Sequence, residues 1–328
     1  RKKLNQYTRY GTVALTAIQG YFIAVGLETL GASQGIAAVV DPGMMFRVGA
    51  VISIVGGTLF LMWLGEQITS RGIGNGVSLI IMAGIVAQLP RSFAQMFTQV
   101  REGSMGGGTI LAVLGGAIVI IALISFMERA QRRVLVQYPK RATQRGVMQA
   151  DRSHLPLKVN TAGVIPPIFA SSLLLMPLTV TQMMGQNVQG DTATGDFLIT
   201  LNQYLAHGQP LYMALYAAGI IFFCFFYVAV VFNPEETADN LKKQNGFIPG
   251  IRPGKNTATY LDFVLTRITV IGAAYLAVIC LVPEYFIAGS GLPFQLGGTS
   301  LLIIVNVTID TISQIQSHML AHQYGDLI

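Results

Sequence analysis

Long stretches without charged residues alternate along the chain with short stretches that contain them. A helix needs roughly 20 mostly apolar residues to cross a bilayer, and each uncharged stretch could supply one. We therefore predict an all-α polytopic membrane protein with eight transmembrane helices. The eight stretches are 10–27, 48–65, 72–90, 103–127, 159–190, 197–234, 268–283 and 285–309.

Lysine and arginine residues are concentrated in every second gap between these stretches. Eight helices place both chain ends on the same side, and that side receives 18 of the 21 basic residues. The other side receives only Arg47, Arg91 and Arg101. Because cytosolic loops carry an excess of Lys and Arg, both ends are predicted to be cytosolic. Two long cytosolic loops follow from this arrangement, at about 128–158 and 233–262.

The composition also indicates a membrane protein. Hydrophobic residues make up 52% and charged residues 11% of the chain, whereas soluble domains carry about 25% charged residues. The net charge of +6 comes from the loop asymmetry, so affinity for nucleic acid is a secondary reading. The cysteines, Cys224 and Cys280, lie in apolar stretches without metal-ligand spacing. The chain opens on a basic run without an initiator methionine, and we expect it to be a fragment.

Titratable side chains are placed unfavourably for catalysis or ion coupling. Ion-coupled transporters keep titratable groups near the bilayer midplane. The sequence also lacks HExxH and GxSxG, two motifs of hydrolases. We therefore predict no enzymatic activity, no metal site and no cofactor. A secondary transporter for small solutes and a membrane scaffold without a pore remain alternatives. The acidic residues in question lie at or near predicted helix ends: Glu28, Glu66, Glu128, Glu284 and Asp310.

The fifth stretch combines a polar residue with several prolines. Asn160 precedes Pro166, Pro167 and Pro177. An amide can form a hydrogen bond across a helix interface, and prolines interrupt the backbone hydrogen bonds of a helix. The pattern suits a helix that bends or shifts, although simple helix packing explains Asn160 about equally well.

The loop at about 128–158 carries more positive charge than the topology requires. Clustered Arg and Lys bind phosphate backbones or acidic protein surfaces, so the loop is a docking candidate. The alternative is a solvated loop beside anionic lipid headgroups. Its basic residues, accompanied by Glu128 and Asp151, are Arg129, Arg132, Arg133, Lys140, Arg141, Arg145, Arg152 and Lys158.

The loop at about 233–262 begins with the pattern of a short capped helix. Asn233 is the predicted N-cap, acidic residues fill the first turn, lysines the last, and Gly246 is predicted to end it. Two Pro-Gly pairs, 249–250 and 253–254, then flank Arg252. Because such pairs form tight turns, we predict that Arg252 sits at a rigid loop tip that contacts a soluble partner.

Several distinctive strings occur along the chain: QYTRYGT (6–12), MWLGEQIT with RGIGNG (62–76), HLPLKVN with AGVIP (154–166), FFCFFY (222–227), NPEETADNLKK, GIRPG and GGTSLLI (297–303). With these strings the chain resembles, from end to end, the bacterial SecY family of channel subunits. The resemblance implies ten spans in two pseudo-symmetric halves around an hourglass pore. Residues 1–102 would then be three spans of the first half and residues 103–328 the five spans of the second, without the first two spans and the plug.

The resemblance assigns roles to residues that would otherwise look ordinary. Ile81, Ile168 and Ile303 match the family's pore ring, although each alone is just an isoleucine in an apolar helix. An apolar ring excludes water and ions and adapts to any passing side chain. Gln19 and Asn160 fall at the lateral gate, where weak polar contacts of about 1 kcal/mol each would hold it closed until a signal sequence displaces them.

The same resemblance implies a function and partners. Arg133, Lys140 and Arg145 in one loop and Arg252 in the other match the sites that dock the ribosome and the SecA motor ATPase. SecE, SecG and anionic lipids are further expected partners. No Walker A motif occurs, so these partners would have to supply the energy. We expect a protein-conducting channel of the bacterial plasma membrane that secretes unfolded preproteins and inserts hydrophobic segments.

Overall fold

A computed structural model of the chain describes residues 2–30, 35–36, 38–139, 142–143, 146–147, 151–187, 193–206, 208–290 and 297–327. Within these residues the fold is almost entirely helical. The elements are α1 (Lys2–Leu30), α2 (Met44–Arg71), α3 (Gly76–Arg101), α4 (Gly107–Arg129), β1 (Gln131–Gln137), β2 (Ala142–Thr143), β3 (Gly146–Val147), β4 (Arg152–Lys158), α5 (Ile165–Asn187), α6 (Ala193–Leu205), α7 (Pro210–Val231), α8 (Pro234–Lys243), α9 (Lys255–Ser290) and α10 (Gly298–Gly325).

Seven helical stretches of the described chain are long and apolar enough to cross a membrane. They are α1 to α4, the stretch Pro210–Lys243 that comprises α7 and α8, and the two last helices, α9 and α10. In α5 the described apolar part, Ile165–Leu178, is shorter. The prediction of a helical polytopic membrane protein is confirmed, while the count of eight spans stays a prediction.

Two predicted span boundaries are wrong. The stretch 197–234 is not one helix, because α6 ends at Leu205 and α7 begins at Pro210. Between them Gly208 has a φ of 86°, a conformation that favours glycine, and proline fits the first turn of the new helix. The predicted interruption at Glu284 does not occur, because α9 continues through Pro283 for 36 residues. At 1.5 Å per residue this helix is about 54 Å long, more than a bilayer core requires.

The predicted loop at 128–158 contains a β-ribbon that the sequence analysis did not foresee. Strands β1 and β4 pair antiparallel, from Gln131 opposite Lys158 to Gln137 opposite Arg152. Val134 and Val136 point inward while their neighbours are more exposed. This alternation is the ordinary pattern of a half-buried strand. It was not recognised in the sequence because many charged residues surround the two valines.

The described residues form two compact units. The first comprises Arg1–Pro90, Ser171–Leu215 and Val307–Ile328. In it, ion pairs join both ends of the hairpin formed by α1 and α2. Arg9 and Glu66 approach to 2.7 Å at one end, and Arg47 and Glu28 approach to 3.0 Å at the other. These pairs hold the two helices in register.

The turn between α2 and α3 in the first unit is tightly packed. Gly76 lies directly against the Gly65 carbonyl, where a Cβ atom would find no space. The backbone N–H of Gly74 donates a hydrogen bond of 2.7 Å to Oε1 of Gln314 on α10. The C-terminal part of α10 is thereby fastened to the start of α3.

The second unit comprises Arg91–Ala170 and Tyr216–Asn306. Its central element is α9, whose buried residues form one stripe up to Ala273, while most residues between Gly272 and Cys280 are buried on every side. The backbone of Gly272 on this stripe reaches the end of β4, since a Cβ there would lie 2.5 Å from the Val159 carbonyl oxygen. The buried residues of α9 include Leu261, Val264, Leu265, Ile268, Leu276 and Cys280.

A methyl group at Gly272 should be costly. Because Val159 blocks the space, Gly272→Ala should destabilise the protein by about 2 kcal/mol, as overpacking of a filled interior does. The midpoint of thermal unfolding in detergent measures the effect. Gly116→Ala on α4 is the matched control, since nothing lies within 4 Å of its Cβ position. Equal midpoints for the two variants would contradict the close contact.

Candidate functional site

The two predicted cytosolic loops form one packed body, which we call the cap: strands β1 and β4, helix α8 and residues 244–254. Gln137 and Phe247 exchange two backbone hydrogen bonds, of 2.8 and 3.0 Å. A shared apolar core lies beneath them, so the described parts of the two loops form one rigid body. The core residues are Val134, Val136, Leu157, Leu241, Ile248, Leu261, Val264 and Ile268.

Helix α8 in the cap begins as predicted. Oδ1 of Asn233 accepts hydrogen bonds from the backbone N–H groups of Glu235 at 3.2 Å and Glu236 at 3.4 Å. The predicted end is corrected by one residue. The left-handed residue is Asn245, with a φ of 58°, whereas Gly246 packs where a Cβ would lie 2.9 Å from the Tyr138 ring.

Arg252 stands on the rigid tip that its flanking turns predicted. Gly250 and Gly254 have φ values of 83° and 102°, which favour glycine. The Thr257 hydroxyl donates a 2.9 Å hydrogen bond to the Arg252 carbonyl oxygen and so fixes the backbone at this point. The Arg252 side chain is exposed and forms no ion pair with any described residue. Its guanidinium is therefore available to an external partner.

The other predicted docking residues are only partly described. Arg133 is exposed on β1, opposite Pro156 of β4. Lys140 and Arg145 lie outside the described residues. The structure thus places Arg133 and Arg252 on the same cap, and their role in docking stays a prediction.

The three isoleucines of the predicted pore ring lie on the helices expected of them. Ile81 is half-buried on α3 in the first unit. In the second unit, Ile168 is half-buried in the first turn of α5 and Ile303 is 5% exposed on α10. Their common pore-lining role stays a prediction.

The two predicted gate residues differ in surroundings. Gln19 is exposed on α1. The prediction that Asn160 lies in a helix is wrong, because it lies in the turn before α5. It is 4% exposed, and its Nδ2 donates a 2.7 Å hydrogen bond to Oε1 of Glu128 on α4. The contact between Glu128 and Asn160 was not predicted. The one sequence feature that points to Glu128 is its position as a single acidic residue at the start of the basic loop.

The prediction that the prolines near Asn160 interrupt the helix is wrong for two of the three. Pro166 and Pro167 lie in the first turn of α5, where a missing N–H leaves no hydrogen bond unmade. They start the helix and do not loosen it. Pro177 alone of the three lies inside the helix.

Comparison with known proteins shows a strong sequence match. The family model described as SecY matches residues 1–312. The "Protein translocase subunit SecY" of Vibrio cholerae is 51% identical over the whole chain, which covers 72% of that protein. Its counterpart in Escherichia coli K12 is 52% identical over 99% of the chain and is also covered to 72%. That of Rickettsia bellii is 48% identical over the whole chain and is covered to 74%.

Solved structures share the fold at low sequence identity. One described as "The structure of a protein conducting channel" has a TM-score of 0.65 and 17% identity, and the match covers 94% of this chain and 72% of that one. Sec61 in the canine ribosome-channel complex from the endoplasmic reticulum has a TM-score of 0.60 and 16% identity, with the same coverage of 94% and 72%. On the strength of the family match and of relatives about half identical along its whole length, the chain belongs to the SecY family.

Proposed function

We propose that the chain is part of a protein-conducting channel subunit in the bacterial cell membrane. It passes unfolded preproteins across the membrane and releases hydrophobic segments sideways into the lipid. The observation that carries this proposal is 51% identity over all 328 residues to a protein translocase subunit. A match of that extent disfavours the alternative of a small-solute transporter, and the shared fold of the channel structures agrees with it.

The conduit in this proposal is an apolar constriction made by Ile81, Ile168 and Ile303. Aliphatic side chains make non-directional dispersion contacts, so they accommodate any residue of a passing polypeptide. A narrow apolar ring also excludes water and ions when no polypeptide is present. The proposed ring therefore seals the channel at rest and accepts polypeptides of any sequence during transport.

The lateral exit uses weak polar contacts. We assign Gln19 on α1 and Asn160 before α5 to the seam through which hydrophobic segments leave. Hydrogen bonds between membrane helices contribute about 1 kcal/mol each, which the burial of a hydrophobic signal sequence in lipid exceeds. Such a seam stays closed at rest and opens for a segment of sufficient hydrophobicity.

The energy for transport comes from outside the chain in this proposal. The SecA motor ATPase and the ribosome dock on Arg133 and Arg252 of the cap and on Lys140 and Arg145 of the same basic loop as Arg133. Both ends of the chain face the cytosol. SecE and SecG complete the channel, and anionic lipids surround its basic loops. The exposed basic surface of the cap supports this, because its core holds Arg133 and Arg252 on one rigid body. The chain itself carries out no covalent chemistry.

Cysteine crosslinking tests the proposed ring. A single cysteine in place of Ile81, Ile168 or Ile303 of the full-length protein should crosslink to a preprotein stalled during transport, because each side chain would touch the polypeptide. The yield of the crosslinked product on a gel measures this. Val86→Cys on α3, whose side chain is 42% exposed, is the control and should remain uncrosslinked. Labelling of all three ring cysteines by lipid probes alone would refute the assignment.

Charge reversal tests the proposed docking role of Arg252. Arg252→Glu places a carboxylate at the tip of a stiff turn and should lower motor-driven transport about tenfold through electrostatic repulsion. Transport of a preprotein into vesicles and stimulation of the motor's ATPase activity measure the loss. Arg101→Glu, an exposed arginine on the predicted opposite side, should leave both unchanged. Normal transport by the Arg252 variant would rule out the role.

A further inference from the structure

The amide of Asn160 depends on Glu128 for its hydrogen bonding. Nδ2 of Asn160 donates to the Glu128 carboxylate at 2.7 Å and to the Gly163 carbonyl oxygen at only 3.4 Å. Hydrogen bonds in proteins are strongest at donor–acceptor distances of about 2.7 to 3.2 Å and weaken beyond that range. The bond to Glu128 is therefore the dominant contact of this side chain.

The bond between Glu128 and Asn160 lies where the β-ribbon passes into α5. The backbone N–H of Val159 donates a 3.1 Å bond to the Ala130 carbonyl oxygen, which closes the ribbon next to the bilayer-spanning helices. Asn160 follows directly, Gly163 turns the chain with a φ of 67°, and α5 begins at Ile165. The side-chain bond thus ties the end of α4 to the segment that leads into α5.

Other helices of the second unit enclose this segment. Gly272 of α9 lies against the Val159 carbonyl, and a Cβ at Gly163 would lie 3.6 Å from the Asn306 amide of α10. Oδ1 of Asn160 is buried without a hydrogen-bond partner among the described atoms. Asn160 is only 4% exposed, so loss of Glu128 would leave its buried Nδ2 with only the long contact to Gly163 among the described atoms.

We propose that Glu128 is a positioning residue of the lateral gate. By holding Asn160 it fixes the point at which α5 starts, and it thereby sets how readily α5 moves aside for a hydrophobic segment. This inference rests on the proposed function, because α5 leads away from Asn160, one of the two residues assigned to the gate. Its consequence is stringency: with Glu128 in place, weakly hydrophobic signal sequences fail to open the channel.

The test compares Glu128→Ala with Glu128→Gln in the full-length protein, reconstituted in vesicles with its proposed partner subunits and motor. Two preproteins are supplied, one with an intact signal sequence and one with a shortened hydrophobic core. Glu128→Ala should raise transport of the shortened preprotein about tenfold, equivalent to about 1.4 kcal/mol, and leave the intact preprotein nearly unchanged. Glu128→Gln should stay close to the unmodified protein, because the glutamine oxygen still accepts from Asn160.

Tyr216→Phe is the control for simple destabilisation. It removes another hydrogen bond of the second unit, the 2.6 Å contact between Tyr216 and Thr299, and should not raise transport of the shortened preprotein. Equal transport by Glu128→Ala and the unmodified protein would overturn the proposal. So would a gain of the same size in Glu128→Gln or in Tyr216→Phe.

Amide hydrogen exchange gives a readout that does not depend on transport. Exchange at the backbone amides of residues 160–165 and of Ile168 should be faster in Glu128→Ala and unchanged in Glu128→Gln and Tyr216→Phe. Unchanged exchange in Glu128→Ala would show that Glu128 does not hold the segment. If the unmodified protein fails to transport the intact preprotein, the proposed function falls, while the exchange experiment still decides whether Glu128 anchors Asn160.

Discussion

Burial of apolar side chains along α9 is the interaction on which the second unit depends. One stripe of this helix packs against the β-ribbon, α8 and the segment before α5, with Gly272 allowing the closest approach. In the cap, outside the bilayer, each buried aliphatic side chain contributes about 1.5 to 3 kcal/mol, far more than an exposed ion pair. The positions of Arg133 and Arg252 are therefore set by the core beneath them and not by the charges themselves.

The helical fold was predictable because a bilayer imposes a simple rule on sequence. Long uncharged stretches must satisfy their own backbone hydrogen bonds, and a helix does so within one segment. The N-terminal capping of α8 was equally predictable, since Asn233 and the acidic residues after it act locally. The break before Pro210 had visible signals in Gly208 and Pro210, but an uncharged run conceals where one helix stops and another starts. The ribbon was missed because only three inward residues, among many charges, reveal it: Val134, Val136 and Leu157.

The candidate site was predictable only where its residues act locally or match a family motif. The flanking turns identified Arg252, and the resemblance supplied the three isoleucines, which no physical property distinguishes from other isoleucines in apolar helices. The partner of Asn160 was beyond prediction, because Glu128 is 32 residues away and is brought close by the pairing of β1 with β4. Together these features describe a scaffold of apolar helices with few buried polar contacts and a rigid cap that exposes Arg133 and Arg252.

We propose that this member of the SecY family conducts unfolded polypeptide through a non-selective apolar conduit. The most direct measurement is protection of a preprotein from added protease in vesicles that contain the full-length protein, its partner subunits, the motor and ATP. Protected preprotein should accumulate only when all of these components are present, and at similar rates for mature regions of different sequence. Absence of protected preprotein, together with uptake of a small solute by the same vesicles, would contradict it.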